Sequence, residues 1–155
     1  ENSCIRRGRH CVFALHAHLV FVTKYRGRCF TTKHLAILQK SFTEVCTDFG
    51  ASLKEMNGDR DHVHLLITYP PTVSLSKLVN SLKGVSSRLL RKQMAEDFET
   101  FFGPHLWSPS YFVASCGGAP LTIIQEYIKI KIHLDNRMNT AYIPALNDGA
   151  LRRYW

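Results

Sequence analysis

At 155 residues and 45% apolar side chains the chain can bury the core of one domain, and no apolar run approaches membrane-spanning length. Its formal charge of +8 excludes a neutral or acidic surface and favours a polyanionic partner, of which nucleic acid is the usual one. Five cysteines (Cys4, Cys11, Cys29, Cys46, Cys116) form no C-x-x-C pair, which argues against a zinc scaffold or disulfide framework and for the reduced thiols of a cytoplasmic protein.

The first cationic stretch opens the chain. Between Asn2 and Thr43 there is no acid, while Arg6, Arg7, Arg9, Lys24, Arg26, Arg28, Lys33 and Lys40 fall there. No signal-peptide pattern is read in this opening segment. His10 to Thr23 reads as one long strand, with Ala14, His16, His18 and Val20 on one face and Leu15, Ala17, Leu19 and Phe21 on the other. Lys24 to Arg28 is a basic turn. Thr32 is placed to cap a helix from about Lys33 to Phe49, and Gly50 ends it. Ala51 to Met56 is a short strand, and Asn57-Gly58 is a turn signal.

The next strand is the most informative segment, Asp61-His62-Val63-His64-Leu65-Leu66-Ile67. Successive strand side chains alternate faces, so His62 and His64 point together and Val63, Leu65 and Ile67 point into a core. Two imidazoles held side by side on a strand make half of a metal site. Asp61 is placed to fix the tautomer of one of them, or to bond the backbone at the strand edge.

Ser74 or Ser76 caps a second helix running to about Met94, whose apolar positions have helical spacing. A second acid-free stretch, from His62 to Ala95, carries Lys77, Lys83, Arg88, Arg91 and Lys92. Phe98 to Pro109 reads as a loop with Trp107 as an aromatic anchor, and Ser110 to Cys116 as a fourth strand. A third helix follows Pro120 and carries Tyr127, though from Tyr127 to Leu134 the pattern also alternates with period two. The expected organisation is a domain over 1–135 and a tail over 136–155.

The order strand, helix, strand, strand, helix, strand predicts an α+β, ferredoxin-like fold: a split βαβ, antiparallel four-stranded sheet with helices on one face, plus the C-terminal tyrosine-bearing helix. The open face would present His62 and His64, with His16 or His18. No Walker loop, G-x-G-x-x-G, zinc-deaminase signature or nucleophile elbow is present. On spacing alone Tyr127 reads as a core or dimer-contact aromatic. As a nucleophile it would need help, because an unperturbed tyrosine has a pKa of about 10.

Leu15 to Arg26, Asp61 to Leu66, Leu75 to Arg88, Leu106 to Phe112 and the pair Tyr127-Ile128 together resemble the TnpA-type single-tyrosine transposases of the HUH superfamily, the IS200-like family. The resemblance implies that Tyr127 attacks single-stranded DNA to form a 5′-phosphotyrosine bond, with Mg²⁺ or Mn²⁺ held by His62 and His64. It implies hairpin recognition at element ends by a homodimer. Lys24, Arg26, Lys83, Arg88 and Arg91 are candidates for nucleic-acid contact. One position departs from the family: a glutamine ligand is expected four residues after the tyrosine, and Lys131 stands there. A lysine cation cannot ligate a metal. The alternative reading is therefore an impaired relative that grips hairpin DNA or RNA without cutting it. Glu126, His133 or water are other sources of the third ligand.

Overall fold

A computed structural model describes residues 5–94 and 105–115 of the chain. Among these the strands and α-helices are β1 (Arg6–Arg7), β2 (Val12–Phe13), β3 (His16–Val22), α1 (Thr32–Asp48), β4 (Ser52–Gly58), β5 (His62–Thr68), α2 (Leu75–Gln93) and β6 (Phe112–Ser115). β1 and β2 pair with each other, and the other four strands form one antiparallel sheet in the order β4-β5-β3-β6. With α1 between β3 and β4 in sequence, and α2 between β5 and β6, this is the strand order of a split βαβ unit. The α+β reading of the sequence holds. Cys116, the tyrosine-bearing helix with Tyr127 and Lys131, and the tail over 136–155 lie outside the described residues.

Strand alternation puts Ala17, Leu19 and Phe21 of β3 on one face with Val63, Leu65 and Ile67 of β5. That face is the floor of the core, and Leu38, Phe42 and Val45 of α1 and Leu78, Val79, Leu82 and Leu90 of α2 complete it. Thr31 caps α1, one residue before the predicted position. Its backbone N–H donates to His34 Nδ1 at 3.0 Å, a capping box with histidine in the usual glutamate place. Gly50 takes the left-handed φ of +70° that ends the helix, as its type predicts.

Two local expectations are corrected. The run from His10 to Thr23 is not one strand: it breaks between Phe13 and His16 because the first part pairs with β1 and the second with β5 and β6. Alternation reports which face a residue takes, and carries no record of a change of partner. Asn57-Gly58 is not the turn but the end of β4, and the turn falls at 59–61. Gly58 answers to packing instead: a Cβ there would lie 2.7 Å from Leu35 Cδ2 of α1 and 3.1 Å from Val63 Cγ1.

Trp107 closes the core at the end of the sheet that carries His62. Its ring lies 5.5 Å from Phe30, 5.8 Å from Phe21 and 6.3 Å from Phe42, and its Nε1–H donates to Ser86 Oγ at 3.0 Å. The backbone there extends the pairing of β3, with Lys24 N–H donating to Leu106 O and Ser108 N–H to Val22 O. Trp107→Ala is expected to cost about 3–5 kcal/mol of unfolding free energy, read by urea denaturation. A loss under about 1 kcal/mol would mean that this aromatic cluster does not hold the sheet end.

Candidate metal centre and nucleic-acid interface

β5 is a central strand, fixed on both sides by β3 and β4, so its side chains have little freedom. His62 and His64 share its face away from the helices, with ring centroids 5.1 Å apart and planes at 84°. That face is less open than a sheet face turned away from α1 and α2 would be expected to be. His64 is 7% exposed, and Val20, Leu66 and Thr68 on the same face are buried as well. Asn57 of β4, opposite His64, flanks the pair, and Phe112 of β6 lies beyond β3, opposite Val20 and 6.2 Å from the His18 ring.

Each imidazole is anchored through Nδ1. His62 Nδ1–H donates to Asp61 Oδ1 at 2.7 Å, and Arg26 Nε–H donates to the other carboxylate oxygen at 3.0 Å. His64 Nδ1 lies 3.0 Å from His18 Nε2, and the two rings stack at 5.2 Å. His18 was visible in the sequence only as a residue on the same face. The register, which sets Val20 opposite His64 and Leu66 opposite His18, makes the two histidines diagonal neighbours within reach. His16, one step further along β3, has both ring nitrogens buried without a partner.

Asp61 is set by opposing forces. Burial pushes its carboxyl up, but the hydrogen bonds from His62 and Arg26, with their charges, outweigh burial and hold it at about 2. A carboxyl lowered on folding contributes stability above its unfolded value near 3.8 and loses it as pH falls toward 2. With the side chain only 15% exposed, the contribution is on the order of 2 kcal/mol. Asp61→Asn is expected to flatten the stability profile between pH 4 and pH 2, measured by denaturant titration at each pH. An unchanged slope in that window would remove Asp61 from the network. The turn that holds Asp61 is itself tied down: Thr23 N–H donates to Asp61 O, and Cys29 and Phe30 N–H both donate to Arg60 O.

The five candidate nucleic-acid contacts separate in space. Lys24 and Arg26 lie on a single turn of 3-10 helix where Tyr25 and Arg26 have φ of +60° and +55°. Two adjacent non-glycine residues in that region are uncommon, and such strain collects at functional sites. Tyr25 stands 85% exposed beside Lys24. Arg88 is exposed and Arg91 half-buried on α2. Lys83 is differently placed. Its ammonium donates to the carbonyls of Ser108, Pro109 and Ser110 at 2.6, 3.3 and 3.3 Å, so it clips the segment before β6 to α2.

Other chemistry is disfavoured among the described residues. Burial pushes the Cys29 thiol up to about 12 and the Cys46 thiol to about 11, which keeps both protonated and poorly nucleophilic. No group of three or more His, Cys, Asp or Glu side chains among the described residues forms a complete metal shell. The histidine pair therefore supplies two donors and needs others.

Fold and site together define an α+β protein with a histidine pair anchored on the central strand of a split βαβ sheet and cations at one sheet end. The chain belongs to the transposase IS200-like family, whose model matches residues 11–131. It is 29% identical over 125 residues to the ISDra2 transposase TnpA of Deinococcus radiodurans, covering 81% of this chain and 89% of that one. It is 28% identical over 127 residues to the transposase for insertion sequence element IS200 of Salmonella typhimurium, covering 82% and 83%. The crystal structure of a candidate transposase from Deinococcus radiodurans superposes with a TM-score of 0.68 at 30% identity, over 81% of this chain and 96% of that one. A REP-associated tyrosine transposase bound to a REP hairpin shares the fold, with a TM-score of 0.52 at 13% identity over 79% and 67%.

Proposed function

We propose that this chain is a cytoplasmic, homodimeric DNA transposase that binds hairpin single-stranded DNA at element ends and cleaves and rejoins it through Tyr127. Family membership supports the reaction class. The observation that carries the site is the pair His62 and His64, each anchored through Nδ1 on a central strand.

The donor set suits a divalent ion. A metal-ligating histidine typically donates its other ring N–H to a carboxylate or another acceptor, and His62 does so to Asp61. His64 would present Nε2 with its Nδ1–H on His18 Nε2, which requires a neutral His18. Two nitrogen donors favour Mn²⁺ over the harder Mg²⁺. A bound ion would polarise the scissile phosphate. Asp61 and His18 act through the ligands, so they are positioning residues. His18→Ala is expected to weaken Mn²⁺ binding about 10- to 100-fold in a calorimetric titration. Affinity within about two-fold of the parent would place His18 outside the site.

The Tyr127 oxygen forms the new bond to phosphorus, the bond to the 3′ oxygen breaks, and the proton lost by the phenol ends on the released 3′ hydroxyl. The reverse reaction with a second 3′ end reseals the strand, so no ATP is consumed. Lys24, Arg88 and Arg91 would hold the phosphate backbone. Arg26, half exposed and bonded to Asp61, would join the DNA to the site. Lys131 favours a second reading, a hairpin binder with impaired cleavage. Incubating labelled hairpin oligonucleotides with Mn²⁺ or chelator separates the two: metal-dependent cleavage supports the transposase, and binding without cleavage the impaired form.

A further inference from the structure

The short ribbon of β1 and β2 stands apart from the four-stranded sheet. Its strands pair with Arg6 opposite Phe13 and Arg7 opposite Val12, and Gly8 N–H donates to Cys11 O at 2.8 Å, which closes the turn on Arg9 and His10. Arg6 and Phe13 take the inner face. The Arg6 guanidinium lies 5.2 Å from the Phe13 ring centre and donates to Gly50 O, just past α1, at 3.1 Å. Successive pairs alternate faces, so Arg7 and Val12 take the outer one. Residues 7–12 are all exposed. An isolated two-stranded hairpin is marginal in water, so the Arg6 contacts are what seat this one.

The charge on this ribbon has no internal answer. No acid occurs in residues 5–13, and neither Arg7 nor Arg9 pairs with a carboxylate of the described residues. The family model begins at residue 11, so both arginines precede the part of the chain that it matches. They are also remote from the histidine pair. β2 leads into β3 at His16, whereas His62 pairs with Val22 at the other end of that strand. The steps from residue 16 to residue 22, at about 3.3 Å each, put about 20 Å of sheet between the root of the ribbon and His62.

Two guanidinium groups without a carboxylate partner, on a projecting ribbon, match a polyanion. A grip on unpaired bases uses exposed aromatics. The ribbon exposes no Phe, Tyr or Trp, because Phe13 is turned in beneath Arg6. A paired stem, recognised by its phosphates, is the form of DNA that fits. We propose that the β1–β2 ribbon is a DNA-binding arm that holds the paired stem of the substrate through Arg7 and Arg9. The proposal rests on DNA being the substrate. At about 3.4 Å per base step, the arm meets phosphates about six or more base pairs from the scissile one. Its contact is to the backbone, so it adds affinity for long stems and reads no sequence.

The test is fluorescence anisotropy without added metal on two blunt hairpin oligonucleotides, with stems of about five and about fifteen base pairs. Arg7→Ala combined with Arg9→Ala should weaken binding of the long hairpin about ten-fold. It should also lower the slope of log affinity against log salt by about 1.8, two phosphates at about 0.9 each. The short hairpin should bind within about two-fold of the parent. Both residues are exposed, so the melting temperature should not move. Arg7→Lys combined with Arg9→Lys keeps both charges and should bind the long hairpin within about three-fold of the parent. Undiminished affinity of the alanine variant for the long hairpin, or equal losses on both stems, would overturn the arm while leaving DNA binding in place. A lysine variant as weak as the alanine variant would do the same, because the grip would not then be one of charge. If the unaltered protein binds neither hairpin, DNA as the substrate fails and the arm falls with it.

Discussion

His62→Ala and His64→Ala are each expected to lower hairpin cleavage about a thousand-fold, equivalent to about 4 kcal/mol of transition-state stabilisation. His62 and His64 are the two ligands proposed for the ion, so losing either halves the share of the shell that the pair supplies. The two variants differ in their effect on folding. The His62 side chain is 16% exposed and borders the turn, so its removal leaves the core intact. His64 is 7% exposed, and alanine there opens a cavity on the sheet. His64→Asn retains much of the volume and serves as the folding control. Mn²⁺ titration by calorimetry should lose its signal in all three variants while hairpin affinity stays within about two-fold. Cleavage within ten-fold of the parent in both alanine variants would mean that the pair does not hold the ion.

Tyr127→Phe is expected to abolish covalent attachment to DNA altogether. It removes the one oxygen that the proposed mechanism joins to phosphorus. Hairpin binding and Mn²⁺ affinity should not change, which distinguishes a nucleophile from a core aromatic. A residual adduct at more than about a hundredth of the parent yield would assign the chemistry to another residue. Lys131→Gln belongs to the same experiment. If the cation at that position weakens the shell, glutamine should raise Mn²⁺ affinity and cleavage together.

The strands and helices that bury one face were legible because alternation and helical spacing are one-dimensional signals. Leu19, Phe21, Val63, Leu65 and Ile67 enter the core as their parity predicts. The two histidines were legible for the same reason. The His18 contact was not, because it depends on the register between β3 and β5, which no single strand encodes. Lys83 looked like a phosphate contact in an acid-free helix. Its engagement with three loop carbonyls follows from where the segment before β6 crosses α2, a tertiary fact. The turn at Asn57-Gly58 was misplaced because Gly58 sits within a strand under Leu35 of α1, a tertiary contact that the dipeptide does not record. Burial of the histidine face was equally invisible, since the sequence marks which residues share a face and not what flanks them.

The most direct measurement is a mapped covalent adduct. The full chain would be incubated with a labelled hairpin oligonucleotide carrying an unpaired flank, in Mn²⁺ and in chelator, then denatured, digested and sequenced by mass spectrometry. The account predicts a DNA-linked peptide containing Tyr127, formed with Mn²⁺ and absent with chelator. An adduct at another residue, an adduct equal in chelator, or hairpin binding with no adduct under any metal would contradict it.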